Sequence, residues 1–132
     1  MKIVPDTNLL VRMAVDDDLV QRRVAARTVM EAEVVIVGIH ALCEMVWVLR
    51  TSYRFSKAQI VLAIENLCGI ENVSVDIVAV KAGLEAMRSG ADFADGVIAY
   101  EGRWLGGQTF VSFDKKAVAA AAKQGMKAEL LG

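Results

Sequence analysis

Short β-branched runs alternate along this chain with longer stretches whose apolar residues recur at helical spacing, and that alternation predicts an α/β protein. Residues 2–4 read as a strand stopped by Pro5, and residues 7–15 are apolar at helical spacing. A second helix is expected over 17–32, with Asp17 or Asp18 as its N-cap. Residues 34–37 form a β-branched strand ended by Gly38, and 39–53 a long, mostly apolar helix. Ser56 can cap a helix that runs to Cys68 and stops at Gly69. A short strand follows at 73–75, then a helix capped by Asp76 and ending near 89–90. Asp92 caps another helix, ending near 106–107. Residues 109–113 read as a strand, Asp114 opens an Ala-rich helix that stops at Gly125, and 128–131 make a last edge strand. The expected architecture has three layers: a central, mainly parallel sheet of about five strands, with helices on both faces.

Composition narrows the class. The chain has 132 residues, of which 55% are hydrophobic, and a net charge of −1, which fits one globular domain over 1–132 and excludes disorder as the main state. Cys43 and Cys68 sit in apolar runs at no zinc or redox spacing, and read as buried thiols in a reducing compartment. Asp6 and Arg12 interrupt the first apolar stretch, so it does not read as a signal peptide. No run suits a membrane span, which leads to the expectation of a cytoplasmic protein. The near-zero charge argues against indiscriminate coating of nucleic acid and leaves room for a local basic rim.

Parallel sheets bind ligands beyond the carboxyl ends of their strands, and two acids stand at such positions. Asp6 follows the first strand in IVPDTN, and Asp114 follows a late strand in TFVSFD. Helix capping is the plain alternative for each. Glu44 lies in the apolar helix ALCEMVWVL, where an unpaired buried carboxylate would be costly. His40, Glu44 and Thr51 share one side of that helix, so a thin solvent stripe competes with a cleft, the reading preferred here. Asp92 and Asp95, in D-F-A-D, share a helix face and repel unless a cation relieves them, although capping and the helix dipole account for each alone. Five carboxylates with no matching Cys or His spacing suit a hard cation, Mg²⁺ or Mn²⁺, over zinc. Such a site fits phosphodiester hydrolysis, in which the ion polarises the phosphate and activates water.

D-T-N after the first strand, a lone Glu in an apolar helix, D-F-A-D, and then S-F-D-K-K together resemble the PIN-domain ribonucleases, and look most like VapC-type toxins of bacterial toxin–antitoxin pairs. The resemblance covers nearly the whole chain. It implies a PIN-like fold and a Mg²⁺- or Mn²⁺-dependent endoribonuclease. It places the catalytic acids on Asp6, Glu44, Asp95 and Asp114, and adds Asp92 to these four as a metal ligand. Asn8 and Ser112 match supporting polar positions, with capping or strand polarity as the alternative. It also implies an RNA substrate, a homodimer and a cognate, VapB-like antitoxin that inserts into the active-site groove. Trp47, Trp104 and Phe55 are candidates for apolar surface, with core packing favoured for Trp47. Arg12, Arg50, Arg54, Lys115 and Lys116 are candidates for an RNA-facing rim, each competing with an ordinary solvated charge.

Two other classes compete. A receiver-like signalling domain also clusters acids at a sheet edge, but it would need an acid beside Asp6 and a phospho-acceptor role for Asp76. A non-catalytic scaffold would keep the fold and bind RNA or protein without a metal site.

Overall fold

The computed structural model describes residues 1–132 and has five strands and seven helices. Two compact units divide the chain, Met1–Asp76 and Ile77–Gly132.

The first unit holds β1 (Lys2–Ile3), α1 (Thr7–Ala14), α2 (Leu19–Glu31), β2 (Val34–Ile36), α3 (Ile39–Thr51), α4 (Lys57–Cys68) and β3 (Val73–Ser74). Its three strands pair in parallel in the order β1-β2-β3, with Val35 opposite Ile3 on one side and Val73 on the other. Val35 is fully buried, as expected for the middle of a parallel ladder. β1 is only two residues long, and Pro5, which has no N–H to donate, follows directly after Val4. Leu10 and Val11 of α1, Leu42, Met45 and Leu49 of α3, and Ile60 and Ile64 of α4 supply buried apolar bulk. Helix ends are closed by side chains. Asp18 caps α2, and Ser56 with Gln59 forms a capping box on α4. The Asn72 amide donates to the carbonyls of Val29 and Ala32 (2.8 and 2.9 Å), which serves acceptors at the end of α2.

The second unit holds α5 (Ile77–Arg88), α6 (Phe93–Trp104), β4 (Thr109–Ser112), α7 (Lys115–Lys123) and β5 (Lys127–Leu130). β4 and β5 pair in parallel, from Thr109 opposite Lys127 to Ser112 opposite Leu130. Small residues set the helix packing. Gly83 on α5 lies under the ring of buried Phe93, and Gly96 on α6 lies against the Ala82 carbonyl, so a Cβ at either glycine would collide. Ala86, Ala91 and Ala120 form one small apolar cluster; Ala99, Ala121 and Met126 form another, with Phe110 and Ala128 packed on it. Gln124 ties α6 to the end of α7: its amide donates to the Gly96 carbonyl at 3.0 Å, and its own carbonyl accepts from Arg103 at 2.9 Å.

The α/β class, the count of strands and their parallel sense follow the sequence pattern. The strands form a three-stranded and a two-stranded ladder, where the pattern had suggested one sheet of about five. Most elements start or stop within one or two residues of their predicted ends. Cys43 and Cys68 form no disulfide and are half-buried, less enclosed than their apolar neighbours implied. Burial pushes the Cys68 thiol up from its ordinary range, which disfavours the reactive thiolate.

The α5–α6 contact can be tested with a pair of glycines. Gly96→Ala should lower stability by about 1–3 kcal/mol, because the Ala82 backbone has no room to yield. Gly102→Ala, in the same helix with open space around it, should raise stability by up to about 1 kcal/mol. Urea midpoints of both variants against the parent check the two signs.

Candidate active site

Three of the five candidate acids cap helices, and the helices start just after strands or a short turn. Asp6 precedes α1 in extended conformation, and its Oδ1 accepts from the Leu9 N–H at 2.9 Å. Asp114 precedes α7, and its Oδ1 accepts from the Lys116 N–H at 2.9 Å. Asp92 precedes α6 and shares a capping box with Asp95, whose Oδ2 accepts from the Asp92 N–H at 3.2 Å. The capping explanation therefore holds for Asp6, Asp92 and Asp114. It does not exhaust them, because a carboxylate has two oxygens and about four acceptor positions. Asp6, Asp92 and Asp114 are exposed and Asp95 is half-buried, so metal or substrate can reach these groups.

Within the first unit, folding brings Glu44 to the start of α1. The Thr7 hydroxyl, next in sequence to Asp6, donates to Glu44 Oε2 at 3.3 Å across 37 residues of chain. The other oxygen, Oε1, lies 2.6 Å from His40 Nε2, one helical turn earlier. The preference for a cleft around Glu44 is not what the structure displays. α3 buries Leu42, Met45, Val46 and Leu49 on one side and leaves the Glu44 side chain 53% exposed on the other. The same outer stripe carries His40, Thr51 and Trp47, so the core placement favoured for Trp47 is also corrected: that side chain is 60% exposed. The physical reason is one-sided packing, since a helix with a single buried stripe must present its other residues to solvent. Trp104 is exposed as well, whereas Phe55 is half-buried.

The supporting positions divide. In the second unit, the Ser112 hydroxyl accepts from the Asp114 N–H at 3.0 Å, which fixes the backbone of the acid beside it. Asn8 is exposed on the first turn of α1 and lines a shallow pocket of about 320 Å³ with Asp6 and Arg12. Arg50, Arg54, Lys115 and Lys116 are exposed, as an RNA-facing rim requires.

Arg12 is different. Its guanidinium donates to Asp17 at 2.7 Å and to the Tyr53 hydroxyl at 2.5 Å, and Tyr53 in turn donates to Asp17 at 3.1 Å. The Tyr53 hydrogen bond and the Asp17 charge hold the guanidinium pKa above its ordinary value against the opposing effect of burial. Only 14% of the side chain is exposed. The triad ties the end of α1 to the loop after it and to the segment after α3. Arg12 is thus committed to the fold, whereas Arg50 and Lys115 are exposed at the surface. The sequence reading missed Thr7, His40, Asp17 and Tyr53 as partners. Only the His40–Glu44 spacing, one helical turn, carried a signal.

The donor set is chemically suited to a hard divalent ion, since accessible carboxylate oxygens are its preferred ligands. No three His, Cys, Asp or Glu side chains are gathered as a metal-holding group. No helix is long and apolar enough to cross a membrane.

Arg12→Ala should lower stability, because it removes the charged partner of Asp17 and Tyr53. Combined with Tyr53→Phe, the loss should be less than additive, because both changes break the same triad. Chemical denaturation of the two single variants and the double variant measures this.

No curated protein and no solved structure matches the chain. The PIN domain family model matches residues 3–123 and so takes in both compact units, from the first strand to the last helix. With acids capping helices α1, α6 and α7 and a fourth on α3 held by the start of α1, the chain belongs to the PIN domain family, a family of nucleases.

Proposed function

We propose that the protein is a Mg²⁺- or Mn²⁺-dependent endoribonuclease, a VapC-like toxin that hydrolyses RNA phosphodiester bonds and is restrained by a cognate antitoxin. In this reading it acts as one domain and as a homodimer. The observation that carries the reading is the Thr7–Glu44 hydrogen bond, which ties the lone acid of α3 to the residue after Asp6 within a chain matched to a nuclease family. The packing of α1 on α3 that makes this link sets Glu44 beside the start of α1, as a site whose ligands come from distant parts of the sequence requires.

Asp6, Glu44, Asp95 and Asp114 are assigned as the catalytic acids, and Asp92 joins them in holding the ion. A divalent ion bound there would neutralise phosphate charge and lower the pKa of water. The chain's own groups prepare for that. Thr7 and His40 fix the two oxygens of Glu44 from opposite sides. Leu9 and Lys116 N–H groups orient Asp6 and Asp114, and Ser112 holds the Asp114 backbone. A carboxylate oriented in advance does not have to be ordered when the ion or substrate arrives. Lys115, exposed beside Asp114, and Arg50 are assigned to the RNA backbone, where they would act as salt-sensitive phosphate contacts. The exposed Trp47 and Trp104 are the apolar surface offered to protein partners.

Family membership retires the receiver-like alternative. The scaffold alternative differs in its metal response. Purified protein should cleave single-stranded RNA with Mn²⁺ or Mg²⁺, stop in EDTA and recover when the ion is returned. Asp6→Asn should reduce cleavage by more than roughly a hundredfold, beyond the effect typical of losing a supporting neighbour. Mn²⁺ should also raise the melting temperature of the parent. Cleavage that persists in EDTA or in Asp6→Asn defeats the proposal, and a protein with neither cleavage nor a Mn²⁺ melting shift is the scaffold.

A further inference from the structure

Phe113 stands between Ser112, the last residue of β4, and Asp114, the acid that caps α7. Its side chain is 78% exposed, although an aromatic ring gains most by being buried. A lone exposed apolar side chain is ordinary on a protein surface, but three features set this one apart. Its backbone is held on both sides: the Ser112 carbonyl accepts from the Leu131 N–H at 2.8 Å, and the Ser112 hydroxyl accepts from the Asp114 N–H at 3.0 Å. The ring is braced along one side by Gly132, where a Cβ would lie 3.4 Å from Cδ1 and 3.6 Å from Cε1. Directly after the acid come Lys115 and Lys116, both exposed.

We infer that the Phe113 ring is a stacking platform for one unpaired base of the RNA substrate, and that it sets the strand against Asp114. The inference rests on the nuclease reading for the identity of the substrate and for the role of Asp114. It adds a contact that no carboxylate supplies.

The chemistry fits one occupant. Unpaired bases are recognised by stacking on aromatic rings, while nearby cations track the phosphates. Phe113, Asp114, Lys115 and Lys116 put ring, acid and cations in four consecutive residues. Adjacent Cα atoms are about 3.8 Å apart, so a base held by the ring keeps its own stretch of backbone near the acid. A protein partner would value the ring only as apolar bulk, which leucine supplies as well; the adjacent lysines favour a polyanion. Stacking uses the face of a base and not its edge, so the platform selects unpaired bases with little preference among the four.

The test separates binding from cleavage. Fluorescence anisotropy in EDTA follows a labelled single-stranded RNA, and the same RNA as a duplex, titrated with the full chain and with Phe113→Leu, Phe113→Ala and Phe113→Trp. The parent should bind the single strand. The Leu and Ala variants should bind it about tenfold more weakly or worse, and the Trp variant at least as tightly as the parent. Affinity for the duplex should be the same in all four. All variants should keep the parent's circular dichroism melt, since the ring is exposed. With Mn²⁺, Phe113→Leu should raise KM for the single strand by a similar factor, and Phe113→Trp should restore it. Single-strand binding that Phe113→Leu leaves unchanged overturns the inference, as does a parent that binds no RNA; Mn²⁺-dependent cleavage in either case leaves the nuclease reading standing. Ring-dependent binding without cleavage keeps the platform and defeats the nuclease reading. Variants that sediment differently from the parent while binding RNA equally well make the ring a protein contact, which also overturns the inference.

Discussion

A helix that follows a strand begins with backbone N–H groups that nothing within the helix can satisfy, and this requirement organises the protein. Aspartate is among the best answers to it, because a short carboxylate accepts from the second or third N–H and complements the positive end of the helix dipole. Asp6, Asp18, Asp92 and Asp114 all stand at helix starts, and Asp6 and Asp114 do so just after the strands β1 and β4. In parallel α/β architecture the helix that follows a strand starts at its carboxyl end, so the same demand that stabilises each helix also sets acids along the edge where ligands bind. Capping and ligation are not rivals in this setting. The cap holds one oxygen by a backbone hydrogen bond and leaves the carboxylate with further acceptor capacity in a defined orientation.

Glu44 obeys a different rule. It caps nothing, and it lies in mid-helix among apolar residues. Its position depends on tertiary packing: α1 lies on α3, Leu10 and Val11 are buried, and Thr7 is brought within hydrogen-bonding distance of the Glu44 carboxylate. The Arg12–Asp17–Tyr53 triad reinforces the same pair of helices from the far end of α1. Charge that the sequence offered to a nucleic acid is here used for alignment.

Much of the fold was legible because its signals are local. Pro5, Gly69 and Gly125 punctuate elements, aspartates and Ser56 mark helix starts, and β-branched runs mark strands, all within a few residues of sequence. The acids were legible for the same reason, since four of the five lie at helix starts. Exposure was less so. Trp47 and Glu44 look enclosed in a string of apolar letters, yet only one side of α3 is covered, and which side depends on contacts made with distant segments. The ladder division was also hidden: strand pairing is a long-range property, and strands of two residues carry almost no pattern of their own. The partners of Arg12 and Glu44 were missed on the same ground, because Tyr53 and Thr7 are about 40 residues away from them in the chain.

The boundary after Asp76 has a bearing on how the polypeptide matures. All three strands of the β1-β2-β3 ladder lie before that boundary, and both strands of the other ladder lie beyond it. Neither ladder waits for a strand from across the divide. A chain emerging from the ribosome, amino end first, would therefore hold every strand of its leading ladder before the trailing glycine-packed helices had been translated. Assembly can follow the order of synthesis, because every pairing of the leading ladder is made within the leading half.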